Sequence, residues 1–381
     1  VEHHNENEML SLIRDTCRRF GQSLQPNFEK WEREGIFPRS VWEEAGEAGL
    51  LCADVPEEFG GAGASFRASI AIQEELSRLG LASISVGLTV HSDIVAQYIV
   101  KQGTEAQKRQ YLPRMASGEC IGAILMTEPG TGSDLQGVGT TALEDGDDFI
   151  VNGAKTFITN GQHADLGVLV AQTSPEAKGS RGMSLLLVDL HAAGVQRGRN
   201  LEKIGLHSAD TSELFFEDVR VPKSALLGEL HRGFAILMEE LARERLSLAV
   251  GAIAASRGAL DLTIDYVKER KAFGKPIAEF QNTRFELARM ETDYQVNRAF
   301  VDECVTLFEA GKLDAARASM AKLASTEAQG RIVDGCLQLF GGYGYMTEYP
   351  ISRAFVDARV QRIYGGTSEI MKELISRSIL A

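Results

Sequence analysis

The hydrophobic period of this chain changes twice, and few folds accommodate the order in which it does so. Through much of residues 8–120 apolar residues recur at three and four positions, as in ENEMLSLIRDTCRRF and ASIAIQEELSRLG, which predicts a run of amphipathic helices. The glycine-rich EEFGGAGAS interrupts them as a loop. From about 121 the texture becomes short β-type runs, DLGVLVAQ, GMSLLLVDL and SELFFEDVRVP, separated by Gly, Asn, Asp and Pro, which predicts a small antiparallel β domain. After about 231 helices return and are long: 233–270, 280–310 and 313–340, with Gly274 and Pro276 ending the first and Gly311 separating the next two. The class is α+β and mainly α, with an N-terminal helical domain over 1–120, a middle β domain over 121–230 and a C-terminal helical domain over 231–381.

Composition removes several functions from consideration. The chain has 381 residues, 44% of them apolar, enough to bury a sizeable core. Its 40 Lys plus Arg against 53 Asp plus Glu give a net charge of −13, which disfavours nucleic acid as a partner. Cys17, Cys52, Cys120, Cys304 and Cys336 are scattered without metal-ligand spacing, so no metal site is expected and a reducing compartment fits best. No apolar stretch is read as reaching the roughly 18 residues of a membrane span, and the acidic start VEHHNENEML lacks a secretory core, leaving cytoplasm and organelle interior open.

One residue stands out on the first long C-terminal helix. Winding 233–256 at about 100° per residue brings Leu237, Leu241, Leu248 and Ala255 onto one apolar stripe, and Glu244 falls in its middle. Burying a carboxylate costs several kcal/mol unless it is partnered or protonated, so its pKa should rise. Two explanations are open: an ion pair with an arginine from another helix, or a general base in a dry pocket. Glu240 lies one turn away, a like charge that fits a face selected for something other than stability.

Candidate ligand-binding groups are dispersed. Neither a dinucleotide fingerprint nor a P-loop is present. MTEPGTGSD offers Thr127, Gly132 and Ser133 to a ring edge or a phosphate, and is equally an ordinary loop. KTFITNG places Phe157 and Thr159 on one side of a strand, an aromatic face beside a hydroxyl or simply a core phenylalanine. ERKAFGKPI supplies Arg270 and Phe273 at a helix break, and QLFGGYGYMTEYP supplies Gln338, Gly341 and Gly342 at a helix end. In YGGTSEI, Thr367 and Glu369 stand where a helix begins, as anion ligands or as local caps.

Taken together and in this order, MTEPGTGSDL, FITNG, ELFFEDVRVP, ERKAFGKPI, LFGGYGYMTEYP and RIYGGTSEIMKELI resemble the acyl-CoA dehydrogenase family over essentially the whole chain. The resemblance implies an N-terminal helical domain, a middle β domain and a C-terminal four-helix bundle, bound FAD, a homotetramer, and electron-transferring flavoprotein as acceptor. Many members keep the catalytic glutamate just after the tyrosine of the last motif; here that position is Gly365, after Tyr364. In the long-chain and isovaleryl branches the base sits on a bundle helix, at the position matching Glu244 in ELARERLSLA. IYGGTSEIMKELISR, DTSELFFEDVRVP and YVKERKAFGK look most like the long-chain branch.

Carried over residue by residue, the resemblance implies that Met126, Thr127, Gly132, Ser133, Phe157 and Thr159 meet the flavin, and that Arg270 and Phe273 meet the FAD of a neighbouring subunit. Gln338 and Gly342 meet its pyrophosphate, and Thr367 and Glu369 the adenosine half. Ser133, Arg245, Tyr364 and Gly365 face the acyl-CoA, with Glu244 as base and the Gly365 N–H as a donor to the thioester oxygen. Phe157 departs from the tryptophan common in the family. The implied reaction converts a medium- to long-chain fatty acyl-CoA into its trans-2-enoyl-CoA in β-oxidation. The alternatives are a flavin oxidase or monooxygenase on the same fold, or an isovaleryl-type enzyme for branched short chains. Moving the acid, by Gly365→Glu with Glu244→Gly, is expected to restore partial activity, and Gly251, Ala252 and Ala254 hint at room for the acyl chain. The expected compartment is the bacterial cytoplasm or the mitochondrial matrix.

Overall fold

The computed structural model describes residues 2–174, 176–177 and 179–380. The N-terminal third is helical: α1 (Glu2–Glu34), α2 (Ser40–Glu47), α3 (Phe66–Arg78) and α4 (Ala82–Thr89), which runs through a π-helical turn (Val90–Val95) into α5 (Ala96–Gln102), then α6 (Glu105–Ala116). A reciprocal cap starts α6: the Thr104 side chain accepts from the Gln107 N–H, and the Gln107 side chain accepts from the Thr104 N–H. EEFGGAGAS is the expected loop, drawn tight enough that a Cβ on Gly61 would lie 2.0 Å from the Val55 carbonyl oxygen.

Eight strands follow in one sheet: β1 (Gly122–Leu125), β2 (Thr141–Asp145), β3 (Asp148–Thr159), β4 (Leu166–Gln172), β5 (Met183–Asp189), β6 (Val195–Asn200), β7 (Thr211–Pro222) and β8 (Leu226–Leu227). The main path runs β6-β7-β3-β2-β4-β5-β8, and β1 pairs with β4 in parallel, Gly122 opposite Leu166. The sheet is thus mixed, a correction to the antiparallel expectation. The connection from β1 to β4 passes through the β2–β3 hairpin and is long enough to bring the chain back in the same direction. Tyr98, Ile99, Leu112 and Met115 of α5 and α6 share a core with Leu125, Val168 and Leu186 of the sheet, so the N-terminal helices and the sheet pack as one body.

The C-terminal helices are α7 (Gly233–Glu269), α8 (Gln281–Glu309), α9 (Ala315–Phe340), α10 (Pro350–Ala358) and α11 (Ser368–Leu380). Between α7 and α8 the chain forms a two-stranded hairpin, β9 (Lys271–Ala272) with β10 (Lys275–Pro276). The expected stop at Gly274 is really the turn of this hairpin. Phe273 and Gly274 have φ of +50° and +82°, the pattern of a two-residue turn matching strand twist, and the turn throws the Phe273 ring into solvent, 96% exposed.

By length and composition α7 is apolar enough to cross a membrane, contrary to the expectation that no stretch is. It packs against α3, α8 and α9, and a core helix of a large protein meets the same criterion.

Docking of α7 on the N-terminal domain centres on a buried ionic group. Arg243 Nη2 donates to Asp54 Oδ2 at 2.6 Å and to Asp93 Oδ1 at 3.3 Å, with the guanidinium 4.5 Å from the Phe66 ring. Removing one partner of such a group leaves uncompensated buried charge, a loss of about 3–5 kcal/mol. Arg243→Leu is therefore expected to lower the urea midpoint of unfolding markedly; an unchanged midpoint would show that Asp54 and Asp93 are satisfied otherwise.

Candidate active site

Glu244, Leu248, Gly251, Ala255, Gly258 and Leu262 follow one another on α7 at steps of four and three, which puts them on one face over about 27 Å of helix. That face is one wall of a cavity of about 570 Å³. The rest of the lining includes Val90 and Ile94 of the π-turn, Gln73 of α3, Gln329 and Val333 of α9, and the Tyr364–Gly365 loop. Gly258 is required by packing, since a Cβ there would fall 2.3 Å from the Arg78 carbonyl oxygen. Gly251 instead faces the cavity, with Gln73 Nε2 2.9 Å from where its Cβ would sit. Of the small residues noted in the sequence, Ala252 and Ala254 point elsewhere, and Ala255 takes their place on the wall.

Glu244 is 7% exposed and lines this cavity. Its partner is not the arginine considered from sequence. Tyr98 Oη, from α5, donates to Glu244 Oε1 at 2.9 Å. Burial raises the carboxyl pKa to about 7; the Tyr98 bond pulls against that, Glu240 adds to it, and Arg245 and Lys101 oppose it. Glu240 is itself paired, accepting from Lys101 Nζ at 2.7 Å. A carboxyl group poised near neutrality on an apolar wall can accept a proton from carbon.

Gly365 also lines the cavity, with φ of +61°, and a Cβ on it would lie 2.2 Å from Leu248 Cδ1. A side chain at 365 could enter only if Leu248 moved aside, and the positive φ disfavours one there, so the helix is the easier place for the acid. The Gly365 N–H has no hydrogen-bond partner among the described residues, a free donor at the cavity wall. Lys322 Nζ, from α9, donates to the Gly366 carbonyl and fixes the loop from behind. Thr367 Oγ1 accepts from the Ile370 N–H at 3.3 Å, so it caps α11, whereas Glu369 is exposed in the first turn.

Met126, Thr127, Phe157 and Thr159 line the opposite end of the same cavity. Simple alternation along β3 fails here. A register shift between Lys155 and Ile158 and a φ of +56° at Phe157 make a bulge, so Phe157, Ile158 and Thr159 all reach the cavity and Phe157 is 68% exposed. Lys155, fully buried beneath, donates to Met126 O, Val170 O and Glu128 Oε1 and braces the MTEPGTGSD loop. Gly132 and Ser133 lie exposed at its tip, outside the cavity.

Arg245 is one position, about 100°, around from Glu244 and does not line the cavity. Its Nη1 donates to Ser319 Oγ at 3.3 Å, and its Nε has no partner among the described residues. Its side chain thus lies outside this cavity, with Glu244 the charge that acts on it. Arg270, Phe273, Gln338 and Gly342 gather in a second, open groove of about 750 Å³, with the Arg270 guanidinium 5.2 Å from the Tyr343 ring. Sequence reasoning missed Tyr98, Gln73, Gln329 and Lys322, which come from elements far apart in the chain. No local spacing points to Tyr98, since its contact with Glu244 spans 146 residues.

Three family profiles match the chain: "Acyl-CoA dehydrogenase, N-terminal domain" over residues 7–119, "Acyl-CoA dehydrogenase, middle domain" over 123–219 and "Acyl-CoA dehydrogenase, C-terminal domain" over 231–380. The chain is 49% identical over 371 residues to the mitochondrial long-chain specific acyl-CoA dehydrogenase of Sus scrofa, covering 97% of this chain and 86% of that one. Among solved structures, an acyl-CoA dehydrogenase from Geobacillus kaustophilus superposes with a TM-score of 0.94 at 48% identity, covering 98% of each chain. An acyl-CoA dehydrogenase complexed with FAD from Bacillus anthracis superposes with a TM-score of 0.92 at 32% identity, covering 98% of this chain and 67% of the other.

Proposed function

The chain belongs to the acyl-CoA dehydrogenase family of oxidoreductases, and from that premise we propose that it takes a hydrogen from each of Cα and Cβ of a long-chain fatty acyl-CoA, with Glu244 as the base. The observation that carries this reading is the desolvated Glu244 carboxyl, anchored by Tyr98 on the wall of an apolar cavity.

The residues present fit FAD. Thr127, Thr159, Gln329 and Gln361 line the cavity, and the amide oxygens of Gln329 and Gln361 are buried without a partner among the described residues, acceptors that N–H and O–H donors of a bound cofactor could satisfy. Met126, Thr127, Phe157 and Thr159 would hold the ring. When bound, FAD supplies the hydride acceptor, and electron-transferring flavoprotein is the proposed next acceptor. The chain's own part is acid–base and electrostatic. Glu244 accepts the α-proton, while the free N–H of Gly365 donates to the thioester oxygen, where charge develops. Apolar walls keep water away from both.

The second groove, with Arg270 and Phe273 projecting, fits the FAD of a neighbouring copy in a homotetramer, in which Gln338 and Gly342 would meet its pyrophosphate. β-Oxidation is the setting we assign, in bacterial cytoplasm or mitochondrial matrix. Anaerobic addition of palmitoyl-CoA to the FAD-loaded protein is expected to bleach the oxidised flavin; failure of butyryl-, octanoyl- and palmitoyl-CoA alike to do so would overturn the assignment.

Gly251 should set how far the acyl chain reaches. It lies seven residues past Glu244, about 10 Å along α7, so a leucine there fills the route. Each methylene denied burial forfeits about 0.8 kcal/mol. Gly251→Leu is expected to lower kcat/KM for palmitoyl-CoA more than tenfold relative to butyryl-CoA; an unchanged ratio would mean the chain runs elsewhere.

A further inference from the structure

We propose that Tyr98 is the positioning residue of the base, holding one oxygen of Glu244 from behind so that the other faces the acyl chain. The inference rests on Glu244 being the base, as argued above. Tyr98 is fully buried on α5, is absent from the cavity wall, and spends its hydroxyl on Glu244 Oε1 at 2.9 Å. Oε2 has no protein partner among the described residues and is the oxygen left for chemistry. A glutamate at a cavity wall has three side-chain torsions to fix, whereas a packed tyrosine has two and moves little. The single bond therefore removes most of the freedom that would otherwise misdirect the carboxylate.

The choice of a phenol matters. A lysine or arginine at this point would pair with Glu244 and abolish its basicity. Tyr98 stays protonated, since burial and the adjacent carboxylates hold its own pKa well above the ordinary value, and it offers a neutral donor that favours the ionised carboxyl without neutralising it. The cation is placed one turn away: Lys101, three residues after Tyr98, takes Glu240, four residues before Glu244, because α5 and α7 run in opposite directions here. The charged groups acting on Glu244 are Glu240 and Arg245 from its own helix and Lys101 from α5; Arg245 also bears on Lys322 of α9. Two helices from different domains thus share the work, one carrying the acid and the other aiming it.

The test is the pH dependence of flavin reduction by palmitoyl-CoA in the FAD-loaded protein. Glu244 must be ionised to act, so the rate climbs through its midpoint as pH rises. In Tyr98→Phe the donor to the ionised form is gone, and the acid limb is expected to move up by about one unit, a roughly tenfold loss below the midpoint that shrinks at higher pH. Replacing Tyr98 by 3-fluorotyrosine, which keeps the shape and strengthens the donor, is expected to move the limb the other way and covers the case in which the phenylalanine variant folds poorly. An unmoved acid limb in either protein overturns the proposal, since a packing role alone would leave it in place. Full activity in a Glu244→Gln protein would instead remove the base itself, a separate failure.

Discussion

Glu244→Gln is expected to fold, to bind FAD and to lose about 10²–10⁴-fold in the rate of flavin reduction by acyl-CoA. The amide matches the carboxylate in shape, and its oxygen can still accept from Tyr98 Oη, so the cavity wall keeps its form. What it lacks is basicity. Burial that raises the carboxyl pKa to about 7 makes the ionised acid a better base toward carbon than one in water, and among the described acidic residues lining the cavity only Asp357 is as buried. Asp357 also borders the cavity and is also raised to about 7 by burial, but it is committed to the Leu206 N–H at 2.6 Å. Stopped-flow mixing with palmitoyl-CoA under anaerobic conditions reads the effect directly. Wild-type bleaching in this variant would transfer the role of base to another group, with Asp357 the first to replace.

Periodicity carried much of the fold. The long helices read at 233–270, 280–310 and 313–340 are α7, α8 and α9, at Gly233–Glu269, Gln281–Glu309 and Ala315–Phe340, because a sustained 3.6-residue apolar pattern has few other solutions. The same pattern exposed Glu244 as a carboxylate out of place. It could not name the partner. Tyr98 lies 146 residues earlier, and which side chain of one domain meets another across an interface is decided by docking, not by local spacing. Phe157 and Thr159 were legible as a pair but not as a bulge, since one extra residue in a strand leaves no mark on a short alternating run. Arg245 shows the limit of reading by neighbourhood: adjacent to Glu244 in sequence, it points about 100° away and bonds to Ser319. The parallel pairing of β1 was likewise invisible, because strand runs carry no sign of direction.

Transplanting the acid from helix to loop is expected to fail as a simple exchange and to succeed only with a third change. From sequence, Gly365→Glu with Glu244→Gly is expected to restore partial activity, two positions able to reach one carbon. The geometry adds two obstacles. Gly365 has φ of +61°, a conformation that disfavours any side chain by about 1–3 kcal/mol, and a Cβ there would meet Leu248 Cδ1 at 2.2 Å. Leu248 can yield because the atom in the way is the end of a flexible side chain, but the space beside it is the cavity proposed above as the acyl route, so a displaced leucine would obstruct the substrate that the new glutamate is meant to serve. The double variant should therefore stay within tenfold of Glu244→Gly alone, and adding Leu248→Ala should raise turnover on palmitoyl-CoA at least tenfold above the double variant. The gain ought to be incomplete, since the relocated carboxylate has no counterpart to Tyr98 to aim it and Tyr98 itself is left with an unmade bond, a loss of about 1–3 kcal/mol. Turnover in the triple variant no better than in the double would show that Leu248 is not the obstacle, and that the choice between helix and loop is made by the backbone of the loop alone.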